Sequence, residues 1–231
     1  MTTTPVPTTS LIVRRAARLA VALGIAAAPA LVIPATASAD LPLAPRGVFT
    51  CEGRNATIVG TNGNDVLFGT SGDDVIVALN GNDTVYAGRG NDIVCGGSGA
   101  DTVYASSGDD IVRGGTGGDN LQGGSGIDLL MGDGDGDLLD GEAGGDYLYG
   151  GDGSDWLIGR QGADEVFGGN GKDTLDIATD DDSSLDDVHG GNDDDLIFAD
   201  DGAAAADDVR GDAGTDTCHA DAVDLVLTCE L

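Results

Sequence analysis

Gly60-Thr61-Asn62-Gly63-Asn64-Asp65-Val66-Leu67-Phe68 and Gly168-Gly169-Asn170-Gly171-Lys172-Asp173-Thr174-Leu175-Asp176 are the first and last copies of a nine-residue phrase. It recurs thirteen times without a break over residues 60–176. Asp holds the sixth place of every copy: Asp65, Asp74, Asp83, Asp92, Asp101, Asp110, Asp119, Asp128, Asp137, Asp146, Asp155, Asp164 and Asp173. An aliphatic residue follows two places later, from Leu67 and Ile76 to Leu175. One carboxylate and one apolar side chain at a fixed period describe a solenoid, with a row of charge beside a row of core. Glycines at the first, second and fourth places allow positive φ and close backbone approach. The three residues after each Asp form a short strand whose central side chain points inward. One phrase is then a turn plus a strand, and two phrases make one coil. Copies eighteen residues apart stack in one parallel sheet, about 4.8 Å apart. The expected fold is all-β, a right-handed parallel β-roll.

Stacking brings like charges together. Two carboxylates about 5 Å apart repel by roughly 0.8 kcal/mol even in water, and by more in a partly dry turn. Each phrase buries a single aliphatic side chain against that repulsion, so a cation between the turns is required. The donors on offer are carboxylate and carbonyl oxygens in a pliable loop, which suits calcium. Magnesium demands a tighter octahedron and keeps its waters. Zinc prefers His and Cys, and the chain has only His189 and His219. The sequence therefore predicts several bound calcium ions, with folding and binding as one reaction.

The chain opens differently. Arg14, Arg15 and Arg18 precede an apolar run from residue 19 to about 34, and Ala37-Ser38-Ala39 supplies small residues. This is the layout of a secretory signal peptide over 1–39, with cleavage before Asp40 and no membrane insertion afterwards. Residues 40–231 carry seven basic and 41 acidic residues, a net of −34. Such a charge excludes nucleic acid and anionic membrane as partners and points to cations. Four cysteines in a secreted, extracellular chain point to disulfides. Of three possible pairings, Cys51 with Cys95 and Cys218 with Cys229 are favoured, because each ties a terminal segment to nearby repeats. Residues 40–59 read as a leader and a cap, with Ala56-Thr57-Ile58-Val59 as a short strand over the first coil.

Beyond residue 176 the phase slips. Residues 177–180 and 199–201 read as insertions among irregular repeats over 177–219, which carry Asp186, Asp195, Asp207 and Asp216. Residues 220–231 read as a capping strand. Phe68, Tyr86 and Tyr104 lie eighteen residues apart and form an outward aromatic column. That column is either cross-strand stacking or a docking patch for a protein or glycan, as in an adhesin. The chain reads as non-enzymatic. It holds no His-Glu-x-x-His, and His189 and His219 fall on outward ninth places with nothing nearby to orient them. Ice binding ranks low, since the third place is mixed: Asn62, Ser71, Asn80, Arg89, Ser98, Ser107, Thr116.

From about residue 60 to 219 the repeats closely resemble the hemolysin-type calcium-binding repeats of RTX proteins. The resemblance implies a parallel β-roll in which the sixth-place Asp coordinates calcium together with loop carbonyls from stacked turns. That role carries over to the thirteen in-phase aspartates, and to Asp186, Asp195, Asp207 and Asp216. Asp133 replaces the second Gly of its phrase, and another phrase opens on Ala78, so these loops are expected to bind more weakly. The layout is similar to small secreted repeat proteins of high-GC Gram-positive bacteria.

Overall fold

The computed structural model describes residues 49–178, 184–200, 206–220, 222 and 224–229. Residues 1–39, read above as a signal peptide, together with residues 40–48 and parts of both expected insertions, lie outside the described residues. The chain begins with a small antiparallel pair, β1 (Thr50–Cys51) and β2 (Arg54–Asn55), followed by β3 (Ile58–Val59). From there it winds between two parallel sheets.

The first sheet stacks β3, β5 (Val75–Asn80), β7 (Ile93–Ser98), β9 (Ile111–Thr116) and β11 (Leu129–Gly134). It continues with β13 (Tyr147–Asp152), β15 (Glu165–Asn170), β17 (Asp187–Asn192), β19 (Asp208–Ala213) and β21 (Leu225–Leu227). The second stacks β4 (Val66–Phe68), β6 (Thr84–Arg89), β8 (Thr102–Ser107), β10 (Asn120–Ser125) and β12 (Leu138–Ala143). Its remaining strands are β14 (Trp156–Ile158), β16 (Thr174–Asp176), β18 (Leu196–Ala199) and β20 (Thr217–Ala220). Regular structure among the described residues is entirely β, and none of it is a helix long and apolar enough to cross a membrane. This is a β-solenoid of the parallel-roll type.

Eighteen-residue stacking is explicit in the register, which pairs Leu67 with Val85, Val85 with Val103 and Leu121 with Leu139. The eighth-place side chains fill the interior, and Val85, Val103, Leu121 and Leu139 are fully buried. Most strands are longer than the three residues expected. They run six residues, through the phrase boundary into places one to three of the next copy. The first place is small, so the chain passes close over the core there. Where it is alanine, as at Ala78, Ala87 and Ala105, the methyl joins the core. Between β15 and β17 the step widens to 22 residues, pairing Glu165 with Asp187. Between β17 and β19 it is 21, pairing Asp187 with Asp208. The extra residues leave the stack of strands unbroken.

Both favoured disulfides are present, with Cα atoms 5.9 Å apart for Cys51–Cys95 and 5.8 Å for Cys218–Cys229. The N-terminal segment does two jobs. β3 pairs with β5 as the first rung of its sheet. The β1–β2 hairpin lies on the outside of the same sheet, where Cys51, Val77 and Ile93 form a second buried cluster edged by Phe49, Ala56 and Ile111. Outward places are apolar in these coils and need cover. Glu52 completes the tie through Arg113 at 3.2 Å.

Candidate metal centre

The turns set the sixth-place aspartates in two rows inside the roll. From Asp74 to Asp173 every one is buried, as are Asp195, Asp207 and Asp216. From Asp83 onward, each Oδ1 accepts a hydrogen bond from the main-chain N–H of the Asp one coil earlier. Asp83 takes that of Asp65 at 2.8 Å, Asp101 that of Asp83 at 2.8 Å, and Asp146 that of Asp128 at 2.8 Å. The ladder crosses the insertions. Asp186 accepts from Asp164 at 2.7 Å, Asp207 from Asp186 at 2.9 Å, and Asp216 from Asp195 at 3.0 Å.

The other carboxylate oxygen has a different fate. In Asp83, Asp92, Asp101, Asp110, Asp119, Asp128, Asp137, Asp146, Asp155, Asp173, Asp195 and Asp216, Oδ2 is buried without a hydrogen-bond partner. Beside it lies the carbonyl of the first-place residue one coil on. A methyl added to Gly96 would stand 2.5 Å from Asp101 Oδ2 and 2.7 Å from the Gly114 carbonyl oxygen. At Gly141 the same point is 2.6 Å from Asp146 Oδ2 and 2.8 Å from the Gly159 carbonyl, and at Gly190 it is 2.5 Å from Asp195 Oδ2 and 2.7 Å from the Gly211 carbonyl. First-place glycine is thus there for space, and left-handed backbone belongs to places two and four. Gly97 and Gly99 have φ of 114° and 120°, and even Asp133 and Asp135 adopt 76° and 73°.

Burying an anion without a counter-charge raises its pKa. Burial, and next to it the stacked neighbours, push Asp92 and Asp128 up to about 8 against the main-chain hydrogen bond that lowers them. Asp119, Asp137 and Asp195 rise to about 7 by the same balance, and Asp146 rises to about 7 with Asp140 as the neighbouring charge, burial being the largest cause in each. Asp101, Asp110 and Asp173 rise to about 6. Orphaned, desolvated carboxylate oxygens next to carbonyls form an all-oxygen donor set, which fits a hard cation of calcium type. Among the described residues no three His, Cys, Asp or Glu side chains converge. The candidate donors come singly from each turn, with a main-chain carbonyl of the next coil nearby.

A family comparison bears on the same residues. The model of the RTX calcium-binding nonapeptide repeat, four copies long, matches residues 59–94, 94–121, 113–148, 140–175 and 149–183. The chain belongs to the RTX calcium-binding repeat family. The matched segments span more than half of it and include all thirteen in-phase aspartates. No curated protein matches the chain.

Two RTX turns depart from the rest. Asp65 Oδ2 accepts from Thr61 N–H at 2.5 Å and from Thr61 Oγ1 at 2.9 Å. Asp74 Oδ2 accepts from Thr70 N–H at 2.7 Å and Thr70 Oγ1 at 2.9 Å, and Thr57 Oγ1 donates to its Oδ1 at 3.1 Å. Asp65 and Asp74 were expected to be equivalent to the other aspartates, and they are not.

The outer faces add features that a strict period hides. Phe68, Tyr86 and Tyr104 do stack, with ring centroids 5.3 and 5.0 Å apart. A second column, Tyr149, Phe167 and His189, runs on the other sheet at 5.1 and 4.9 Å, and Phe198 stacks on His219 at 5.2 Å. The reading that nothing orients His189 is wrong. Its Nδ1 lies 2.8 Å from Asp212 Oδ2, and Nε2 lies 2.7 Å from Arg210 Nη1 and 3.2 Å from Asp187 Oδ1. The 22-residue step conceals this arrangement in the sequence. Charged clasps between second and ninth places were also missed: Asp133 grips Arg113 at 2.5 and 2.9 Å, and Arg160 grips Asp140 at 2.5 and 2.7 Å.

Proposed function

We propose that this is an exported, non-enzymatic calcium-binding roll that folds as it binds several calcium ions and serves as a structural or surface-interaction module. The row of buried, unpartnered Oδ2 atoms carries the reading. Asp83, Asp92, Asp101, Asp110, Asp119, Asp128, Asp137, Asp146, Asp155, Asp164 and Asp173 would hold the ions, with Asp186, Asp195, Asp207 and Asp216 extending the rows. First-place carbonyls from the next coil would complete the shells. A bound dication supplies the positive charge that the stacked carboxylates lack. Disulfides at both ends suit an oxidising compartment, and the signal-like segment before residue 40 supports export. In a cytosol poor in calcium the chain would stay largely unfolded, and outside it would coil.

The adhesin reading draws on the Phe68–Tyr86–Tyr104 column. Those rings face one another within 9° of parallel. Stacking on neighbours occupies the faces that a sugar would use, so the column serves cohesion between coils better than glycan capture. Circular dichroism of residues 40–231, titrated with calcium and with magnesium, tests the main reading. A cooperative coil-to-sheet transition with calcium alone is expected. A full sheet signal in chelator at neutral pH overturns it.

A further inference from the structure

The first coil is built differently from the coils above it. Second-place residues have positive φ at Leu79, Gly88, Gly97, Ser106 and onward through the described repeats, but not at Thr61 or Thr70. Fourth-place glycines follow suit: Gly81 and Gly90 have φ of 131° and 109°, whereas Gly63 and Gly72 are outside that region. A methyl added at Gly63 or Gly72 would meet nothing within 4 Å, whereas at Gly81 it would sit against the main chain of Gly63 and Asn64. The two turns therefore have another shape, and threonine closes them from within. Its N–H and hydroxyl fill the Oδ2 atoms of Asp65 and Asp74, the oxygen that stays unpartnered at Asp83, Asp92, Asp101 and Asp110.

The same end holds what can fold without an ion. Cys51–Cys95 ties the cap to the third strand of its sheet, and the second apolar cluster, around Cys51, Val77 and Ile93, lies here. The opposite end also has a disulfide, but Asp195 and Asp216 there keep buried, unpartnered Oδ2 atoms. We infer that the first coil is a metal-independent seed, in which Asp65 and Asp74 are hydrogen-bond acceptors instead of calcium ligands, and that calcium-driven folding propagates from it toward the C-terminus. This rests on the calcium reading above. Forming the first coil is the costly step in a stack whose later units gain a neighbour as they close. A closed, cross-linked coil removes that cost and offers Asp83 and Asp92 a template, since their Oδ1 atoms accept from Asp65 and Asp74 N–H.

Hydrogen exchange read by mass spectrometry on the full chain tests this. In chelator, peptides over residues 50–80 should exchange about tenfold more slowly than peptides over 130–176, and calcium should slow both. Thr61→Gly with Thr70→Gly should erase the difference in chelator and raise the calcium midpoint, while saturating calcium restores protection. Thr61→Ser with Thr70→Ser keeps the hydroxyls and should behave as the parent. Calcium counted by equilibrium dialysis at saturation should be unchanged in Asp65→Asn with Asp74→Asn and lower in Asp128→Asn. Equal, fast exchange everywhere in chelator, with full protection in calcium, overturns the seed and leaves the calcium roll standing. Protection everywhere in chelator overturns the calcium reading itself. Loss of bound calcium in the Asp65/Asp74 variant also overturns the seed assignment.

Discussion

Replacing Asp128 with Asn should change stability in opposite directions with and without calcium. Asp128 is fully buried, its Oδ1 accepts the Asp110 N–H at 2.8 Å, and its own N–H donates to Asp146 Oδ1 at 2.8 Å. Burial first, and then Asp110 and Asp146, lift its pKa from 3.8 to about 8. At pH 7 the folded, metal-free chain must therefore take up a proton at Asp128 that the unfolded chain has released, which costs about 4 kcal/mol. Asparagine keeps an oxygen for the Asp110 N–H and removes the charge, so the metal-free fold should gain up to about that amount. In calcium the same change removes an anionic donor, and the midpoint of the calcium transition should rise about tenfold, or roughly 1.4 kcal/mol. Far-UV circular dichroism reads both arms: folding by osmolyte in chelator, and folding by calcium in buffer. The variant should need less osmolyte and more calcium. Equal destabilisation in both arms would mean that Asp128 merely packs, and the argument from buried charge would fail.

The acid response follows the same logic with its sign fixed by the raised values. Asp92 and Asp128 near 8, and Asp119, Asp137 and Asp146 near 7, hold protons in the fold that the unfolded chain has released. Their contribution to the metal-free fold is full below about pH 4 and is lost as pH rises through about 6 to 8, so chelated protein should show more sheet at pH 5 than at pH 8. Calcium competes with those protons, so its midpoint concentration should climb as pH falls from 8 to 6, as isothermal titration would show. Leu130→Ala opens a hole between Val112 and Leu148, its register partners on either side, and should cost about 2–5 kcal/mol in calcium-loaded melts. Cys51→Ser with Cys95→Ser frees a loop of 44 residues and should cost roughly 4 kcal/mol, seen as lost protection of the first coils by hydrogen exchange.

The sequence carried the winding because two periodicities coincide: an aliphatic residue every nine places and an aspartate two places before it. Strand length was less legible, since the second half of each strand is glycine-rich and lacks the β-branched signal that marks residues such as Val75 and Ile76. The Asp rows could be read from spacing, but not the division of labour between Oδ1 and Oδ2, which depends on which atom faces the neighbouring N–H. Thr61 and Thr70 did leave a trace, as threonine where later copies have glycine or another left-handed residue. Its meaning emerged only with the hydroxyls placed against the carboxylates. Tyr149 and Phe167 were eighteen apart and within reach of the same reasoning as Phe68 and Tyr86. His189 was not, because four extra residues separate it from that beat.

Alternation of successive strands between two sheets has a consequence for how such a chain can change its length. Gain or loss of one nonapeptide would send every later strand to the opposite wall, moving Tyr149, Phe167 and His189 onto the side that bears Tyr104 and turning the C-terminal disulfide segment around with them. Gain or loss of a pair would leave each wall's decoration where it was and alter only the height of the column. Lineages of this protein should therefore differ in size by multiples of two phrases, with odd changes confined to the C-terminal end, where little lies downstream to be displaced.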